Sequence, residues 1–552
     1  MSNKFKVTNL IVTVSLLFVF LFNFAYGNPL LEVIPEKVIG VLEIKDVELI
    51  KSLSELDLVN FAPEGKKGSQ IRDYRMTREE IKEELGFDVL DPLFLENIFS
   101  GGAILSCLGV SMGGVPEVLL ALSPSDSHAF SRFIGYIEAK NDLGEEVSSY
   151  KGIEIVSIIL PEEADLEPIK SISYAFLEDT LVIGSNLSPV KRAIEVFRGE
   201  SNSLLENSEY KEQKVKTEEK VESSSFFFSL FSQELYHALD ELIEVIEEEE
   251  LAKTLKDSRD SLEDMGTISG VGGYQEKQFK AYITAQIAEK YLDVLKETDI
   301  SNLQSLSMFP KNTFFYLASV LPLAWEEIKE DYISEDLRLD LEKKVKQVQE
   351  KSGVDIEKTI YSWPTKEFSV GLFDASTIFP KLGLIAGYSS EEKLIQNLYP
   401  ALEHFAPMMG GVLLDSQYEG ISYKSLPNPM FPLGYGIVGG RFVLSSGIAN
   451  IIDAQKGDIT TLDKSEAIKY MLSFPDVFSL LYIDMNSVSE IIGRFMPMVV
   501  QGKPEGTEDT EGAKRKESFN ALLEGLNSLE NVLFWTGIEE DYSYSWLEIN
   551  YK

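Results

Sequence analysis

Two apolar runs at strand spacing, Tyr174 to Leu177 and Leu181 to Ser185, flank the turn residues Glu178-Asp179. Directly behind them Val190, Ala193, Ile194 and Phe197 recur at helix spacing. The pattern predicts a β-hairpin that feeds an amphipathic helix. Ser188-Pro189 fits the start of that helix, with Ser188 as the cap and Pro189 in the first turn, where a missing N–H costs nothing. The same order of patterns returns from Leu433 to Gly447, with a helix-like run from Ile448 to Gln455 behind it. The chain therefore reads as two copies of one unit.

Laid on each other, the copies run in parallel along most of their length. Pro35 to Ile44 matches Pro310 to Ser319, and Ala103 to Leu108 with Val118 to Leu122 matches Glu367 to Leu372 with Leu382 to Ala386, Pro116 falling on Pro380. A helix-like run from Ser125 to Ala139 has its partner from Ser389 to His404. Tyr150-Lys-Gly-Ile recurs as Tyr418-Glu-Gly-Ile, a hairpin signal in each case. Further on, Ser203-Leu-Leu205 is echoed by Thr460-Thr-Leu462, and Phe227 to Phe231 by Val477 to Leu481. Each copy closes on alternating strands, Thr267 to Ile287 and Asn531 to Tyr551. Order is kept while loop lengths drift, as expected of a duplication. Neighbouring strands joined by short turns imply mainly antiparallel sheets with packed helices, an α+β fold. Leu235, Leu239, Leu242 and Ile246 mark another amphipathic helix.

Two polar segments break the match. Tyr210 to Ser225 reads as a charged linker in the first copy, and Gly502 to Ser518 as a polar insertion with too few apolar residues to fold alone. Both read as mobile loops on a rigid body. Glu247 to Glu250 reads as a solvated helix face.

Near the start, Lys4 and Lys6 precede an apolar run from Leu10 to Phe24, and Ala25-Tyr-Gly27 offers the small residues of a cleavage site. Residues 1–27 are expected to be a signal peptide cut before Asn28. The other reading is a retained anchor, since the run approaches the roughly 18 apolar residues that span a bilayer. Either way the bulk of the chain is expected outside the cytoplasm, with membrane contact only through this segment if it stays. The remaining roughly 525 residues suit two domains, which we place at 28–300 and 301–552.

Charge narrows the partners. With 90 acidic against 51 basic residues the net charge is −39, which repels phosphate backbones and argues against nucleic acid. Cys107 stands alone, so no internal disulfide is available and stability must come from the core.

The sharpest candidate for chemistry is Gly109-Val-Ser111-Met-Gly113, which fits the G-x-S-x-G elbow of serine hydrolases. That elbow needs a helix immediately after it. Here Val115-Pro-Glu117 and another strand follow, and the second copy carries Ala375 at the place of Ser111. The glycines therefore read as a hairpin turn, with a hydrolase using Ser111 as the alternative. His128, His237 and His404 lie singly on helices, and no two histidines or cysteines stand at metal-ligand spacing. The acidic run Asp257 to Asp264 lacks a calcium-loop pattern and spreads around a helix. Gly270 to Gly273 lies inside a strand pattern, where glycine marks a bulge or a close approach rather than a phosphate loop. No catalytic, metal or cofactor site is assigned. Met408-Met409, Met430-Phe431 and Phe495 to Val500 place soft apolar residues beside loop formers, which suits core filling or an adaptable surface.

Tyr150-Lys-Gly-Ile153, the Tyr174 to Ser185 hairpin with Ser188-Pro-Val-Lys-Arg-Ala-Ile194, and Ser203-Leu-Leu205 together resemble an exported bacterial family, domain of unknown function 3352. The resemblance implies export and the repeated α+β build, and no activity or site. The combined expectation is an exported, non-enzymatic binding or scaffold protein of the cell envelope. It would bind another protein through the groove between the halves or through the insertions, or carry a lipid or other apolar ligand.

Overall fold

The computed structural model describes residues 28–45, 101–111, 115–124, 144–159, 170–222, 224–246, 249–262, 266–287, 303–320, 342–347, 364–377, 379–388, 390–407, 411–428, 432–500 and 525–552, with a few isolated residues between these spans. The chain divides into two compact units, the first running to Gln286 and the second from Ile287 onward, apart from the turn residues Lys277–Phe279, which group with the second. Helices pack on a mainly antiparallel sheet in each, so the fold is α+β.

In the first unit ten described strands are β1 (Gly40–Ile44), β2 (Ala103–Val110), β3 (Pro116–Leu122), β4 (Gly144–Tyr150), β5 (Ile153–Ile159), β6 (Ser171–Leu177), β7 (Thr180–Gly184), β8 (Phe226–Leu230), β9 (Ile268–Gln275) and β10 (Gln278–Gln286). Their spatial order is β10-β9-β8-β1-β2-β3-β7-β6-β5-β4. The β4–β5 hairpin turns through Lys151 and Gly152, both at positive φ, which matches the twist of the strands it joins. Helices α1 (Leu187–Phe197), α2 (Ser208–Glu218), α3 (Ser232–Val245) and α4 (Glu249–Leu262) complete the unit.

Strand alternation gives the sheet two faces. The core face carries Val41, Glu43, Ser106, Leu119, Ala121, Val182 and Phe227, all buried. Over it lie the 3-10 turn Asn28–Val33, α1 and α2. Helix α1 buries Pro189, Val190, Ala193 and Ile194. Its close approach requires glycine at 184, where a Cβ would sit 2.9 Å from Val190 Cγ2 and 2.7 Å from the Asn186 carbonyl oxygen. The back face carries Leu42, Leu105 and Cys107; Ala238 of α3 packs there against Cys107 and Ile39.

The second unit holds β11 (Thr313–Val320), β12 (Pro364–Phe373), β13 (Lys381–Tyr388), β14 (Leu414–Tyr418), β15 (Ile421–Leu426), β16 (Leu433–Val438), β17 (Arg441–Ser445), β18 (Val477–Asp484), β19 (Leu529–Glu539) and β20 (Tyr542–Tyr551). They lie in the order β20-β19-β18-β11-β12-β13-β17-β16-β15-β14. The helices are α5 (Tyr399–Phe405), preceded by a π-turn over Leu394–Leu398, then α6 (Ile448–Lys456), α7 (Glu466–Met471) and α8 (Met485–Val500). Phe309 lies on the core face, and Gly371 leaves room for it: a Cβ there would come within 2.4 Å of its ring.

The strand order coincides in the two units, and the pairings fix which positions correspond. Val41 lies between Ser106 and Ser229, and Tyr316 between Gly371 and Tyr482. From that anchor Leu42 matches Leu317, Glu43 matches Ala318 and Lys45 matches Val320. The bridges Pro35–Ser203 and Pro310–Thr461 keep the same offset.

This register corrects several sequence expectations. Phe227 corresponds to Leu480, not Val477, since each faces the matched strand of its own unit and both are fully buried. Similar letters had slid the strand by three residues, which would exchange its faces. Likewise Ser203 matches Thr461 instead of Thr460. Asn186, not Ser188, caps α1: its side chain accepts from Ser188 N at 2.8 Å. Tyr210 to Glu218, read as part of a charged linker, is helical, capped by Asn207, whose side chain accepts from Tyr210 N at 2.9 Å. The buried residues of α2 are Tyr210, Gln213 and Thr217, so its inward stripe is polar and carries no hydrophobic period. The insertion Gly502 to Ser518, the apolar start from Leu10 to Phe24, and His128 lie outside the described residues, as do Met408-Met409 and Met430-Phe431.

Candidate functional site

The first unit buries charge where the second buries hydrocarbon. Glu43 projects from β1 into the core face, and α2 brings Tyr210 and Lys214 onto it, one turn apart. The Tyr210 hydroxyl donates to Glu43 Oε1. Lys214 Nζ donates to Glu43 Oε2 at 2.6 Å and lies 2.9 Å from the Tyr210 oxygen. The same ammonium stands over the rings of Tyr210 and Phe227, 5.3 and 5.7 Å from their centroids. Two residues further along β1, Lys45 pairs with Glu218 at the end of α2 and reaches Ser224 Oγ at 3.3 Å. Lys214 also approaches the same Glu218 oxygen, at 3.9 Å.

Burial and the Glu43 carboxylate push the Tyr210 phenol far above its ordinary range, so it stays a neutral donor. Lys45 moves the other way: burial, then the neighbouring Lys214 ammonium, pull it down to about 8 against the attraction of Glu43. The matched places in the second unit are Ala318 for Glu43, Val320 for Lys45, Ile468 for Tyr210 and Leu472 for Lys214, counting α2 and α7 from their caps Asn207 and Ser465. Ala318, Val320 and Ile468 are buried. The sequence held one signal for the cluster, Tyr210-x-x-x-Lys214 beside an N-cap asparagine, and the charged-linker reading hid it.

The second unit has its own buried ion pair elsewhere. Arg441 Nη1 lies 2.6 Å from Glu367 Oε2, while Glu367 Oε1 accepts from Ser305 N at 2.8 Å. Ser305 Oγ in turn lies 2.7 Å from the Tyr316 hydroxyl, which burial raises far above its usual range. This network ties the 3-10 turn Gln304–Ser307 to the interior strands β11, β12 and β17.

On the back face of the second unit an apolar strip is partly open. Leu317 stands opposite Val370, Phe368 lies two residues along β12, and Leu372 stands opposite Leu382. Leu317 is 40% exposed, Phe368 38% and Leu382 37%. From the Val41–Tyr316 anchor Ser106 matches Gly371, so Ala103 falls on Phe368 and not, as the sequence suggests, on Glu367; at these matched positions Leu42 is 0% exposed and Ala103 2%.

Ser111 occupies the β2–β3 turn. Its N–H donates to the Val115 carbonyl at 2.8 Å, and its Oγ accepts from Val115 N at 3.3 Å. Strand β3 starts at the next residue, so no helix supplies an oxyanion hole. His237 lies on α3 beside the Tyr236 ring, and His404 in the last turn of α5. Cys107 is buried and its thiol is raised by that burial. Among the described residues no group of three His, Cys, Asp or Glu side chains gathers as metal ligands, and no helix is long and apolar enough to cross a membrane.

The described residues define an α+β protein built on mainly antiparallel sheet. A family profile with the description "Protein of unknown function (DUF3352)" matches residues 103–507. The chain belongs to that family. No curated protein matches it. Among solved structures it is similar to crystal form I of TP0453, at 10% identity over 48% of this chain and 81% of that one; the TM-score of 0.25 carries no argument.

Proposed function

We propose that this chain is an exported, non-enzymatic protein of the cell envelope, built by duplication of one α+β unit, that binds another protein through the apolar strip of its second unit. The strip carries the reading. Exposed apolar side chains in a contiguous patch mark interaction surfaces, whereas at the matched places of the first unit Leu42 and Ala103 are buried and Val118 is half-buried. An open sheet surface suits a protein partner better than an enclosed lipid does.

Export rests on the N-terminal pattern, and cleavage before Asn28 keeps the first described core residues, the buried Leu30, Leu31 and Ile34. Duplication rests on the shared strand order and on the matched pairs Val41–Tyr316 and Phe227–Leu480. Non-enzymatic action rests on the Ser111 hydroxyl serving its own turn.

A photo-crosslinking amino acid at Phe368, in protein exported by its host, tests the docking role. The expected result is one discrete protein adduct that disappears when Leu317→Glu is added. Crosslinks to lipid alone would replace this reading with the apolar carrier, and no adduct at all would remove the strip from consideration. Mature protein beginning elsewhere than Asn28, by N-terminal sequencing of the same sample, would overturn cleavage.

A further inference from the structure

We propose that Lys45 is a reactive amine that captures aldehydes or ketones as an imine, a covalent site in the first unit that goes beyond the docking role and does not depend on it. Three features of the cluster point there. First, the fold does not require most of these charges, because three of the four corresponding places in the second unit hold the buried Ala318, Val320 and Ile468, while the fourth, Leu472, is 39% exposed. Buried ionic groups cost desolvation that apolar replacements avoid, so their presence on one side only asks for a role other than packing. Second, two ammonium groups share one carboxylate oxygen, Lys45 and Lys214 both addressing Oε1 of Glu218; the carboxylates favour the charged amine, but burial and the second ammonium act the other way and prevail at Lys45. Third, the Lys45 side chain is 24% exposed, whereas Glu43 and Tyr210 are buried, so of these three groups Lys45 is the one nearest solvent.

The chemistry balances with groups at hand. Neutral Lys45 Nζ adds to the carbonyl carbon; the C–N bond forms as the C=O π bond opens, and the oxygen takes a proton. Glu218 is placed to accept the proton lost by nitrogen, and Lys214 to supply one toward the departing hydroxyl. Loss of water then gives the imine, so amine plus carbonyl yields imine plus water. No oxidant or cofactor enters. At pH 7.5 an amine titrating at about 8 holds on the order of a hundredfold more neutral form than an ordinary lysine. A less basic amine is also a weaker nucleophile, so the expected gain in rate is about tenfold.

The test uses the full mature chain with benzaldehyde as probe and cyanoborohydride to trap the imine, read by peptide mapping at pH 7.5. Lys45 should acquire the benzyl group about tenfold faster than Lys464, whose side chain is 62% exposed. Lys45→Arg should remove that label and leave the others. Lys214→Met, which takes away the neighbouring charge, should slow labelling of Lys45 several-fold, with unchanged circular dichroism showing that the unit still folds. Labelling of lysines in proportion to their exposure would overturn the proposal. So would a Lys214→Met protein that folds and labels Lys45 at the original rate.

Discussion

The two units solve the same packing problem with opposite materials. Under α2 the first unit places a carboxylate, two ammonium groups and a phenol; at α7 the second buries Ala318, Val320 and Ile468, with Leu472 partly exposed at the helix end. On the back face the contrast reverses, since the first unit closes its sheet with α3 while the second leaves Leu317, Phe368 and Leu382 partly open. A shared strand order therefore does not prescribe what fills the space above and below the sheet. The apolar version of the inner layer shows that hydrocarbon suffices there, which makes the charged version the informative one.

That comparison can be broken most sharply at Glu43. Glu43→Ala alone leaves Lys214 and Tyr210 buried without their acceptor, and we expect a loss of about 3–5 kcal/mol in chemical denaturation. The fourfold change Glu43→Ala, Lys45→Val, Tyr210→Ile, Lys214→Leu, which copies the second unit, should instead be neutral or stabilising by about 1–4 kcal/mol. If the fourfold variant is as damaged as the single one, the charged layer is structural after all.

The next effect concerns the back face. Leu42→Ala removes a fully buried side chain and should cost about 2–5 kcal/mol, whereas Leu317→Ala, at the matched and partly open place, should cost about 1 kcal/mol or less. Equal losses would mean that the strip is covered in solution. Smaller still is the cap of α1: Asn186→Ala should cost about 1 kcal/mol and Ser188→Ala little, reversing the order that the sequence suggested.

The pH dependence sharpens the same contrast. Folding lowers Lys45 from 10.5 to about 8, so between those values the unfolded chain binds more protons than the folded one. Its contribution to stability therefore rises with pH across that window and is at its lowest below pH 8. Lys45→Met should flatten this slope, measured by denaturation at pH 7, 8.5 and 10. A slope that survives the substitution would assign it to other groups.

The sequence by itself determined the α+β class and most of the strands, because strand and helix periods and turn residues such as Lys151-Gly152 act locally. It also located the β2–β3 turn, since Pro116 and the glycines before it exclude a helix there. Register was less legible. Phe227 to Phe231 resembles Val477 to Leu481 letter by letter, yet only the hydrogen-bonded partners reveal that Phe227 stands where Leu480 does. Helix α2 was invisible to hydrophobic pattern because its inward residues are Tyr210, Gln213 and Thr217, of which Tyr210 donates to Glu43 and Thr217 to carbonyls of its own helix. The charged cluster was hidden for the same reason, as Glu43 and Lys45 lie far from Lys214 in sequence and all three look like ordinary surface charge. Only the tertiary structure decided which charges are buried together and which leucines stay open, because burial depends on what the rest of the chain lays over a residue, and no local pattern records that.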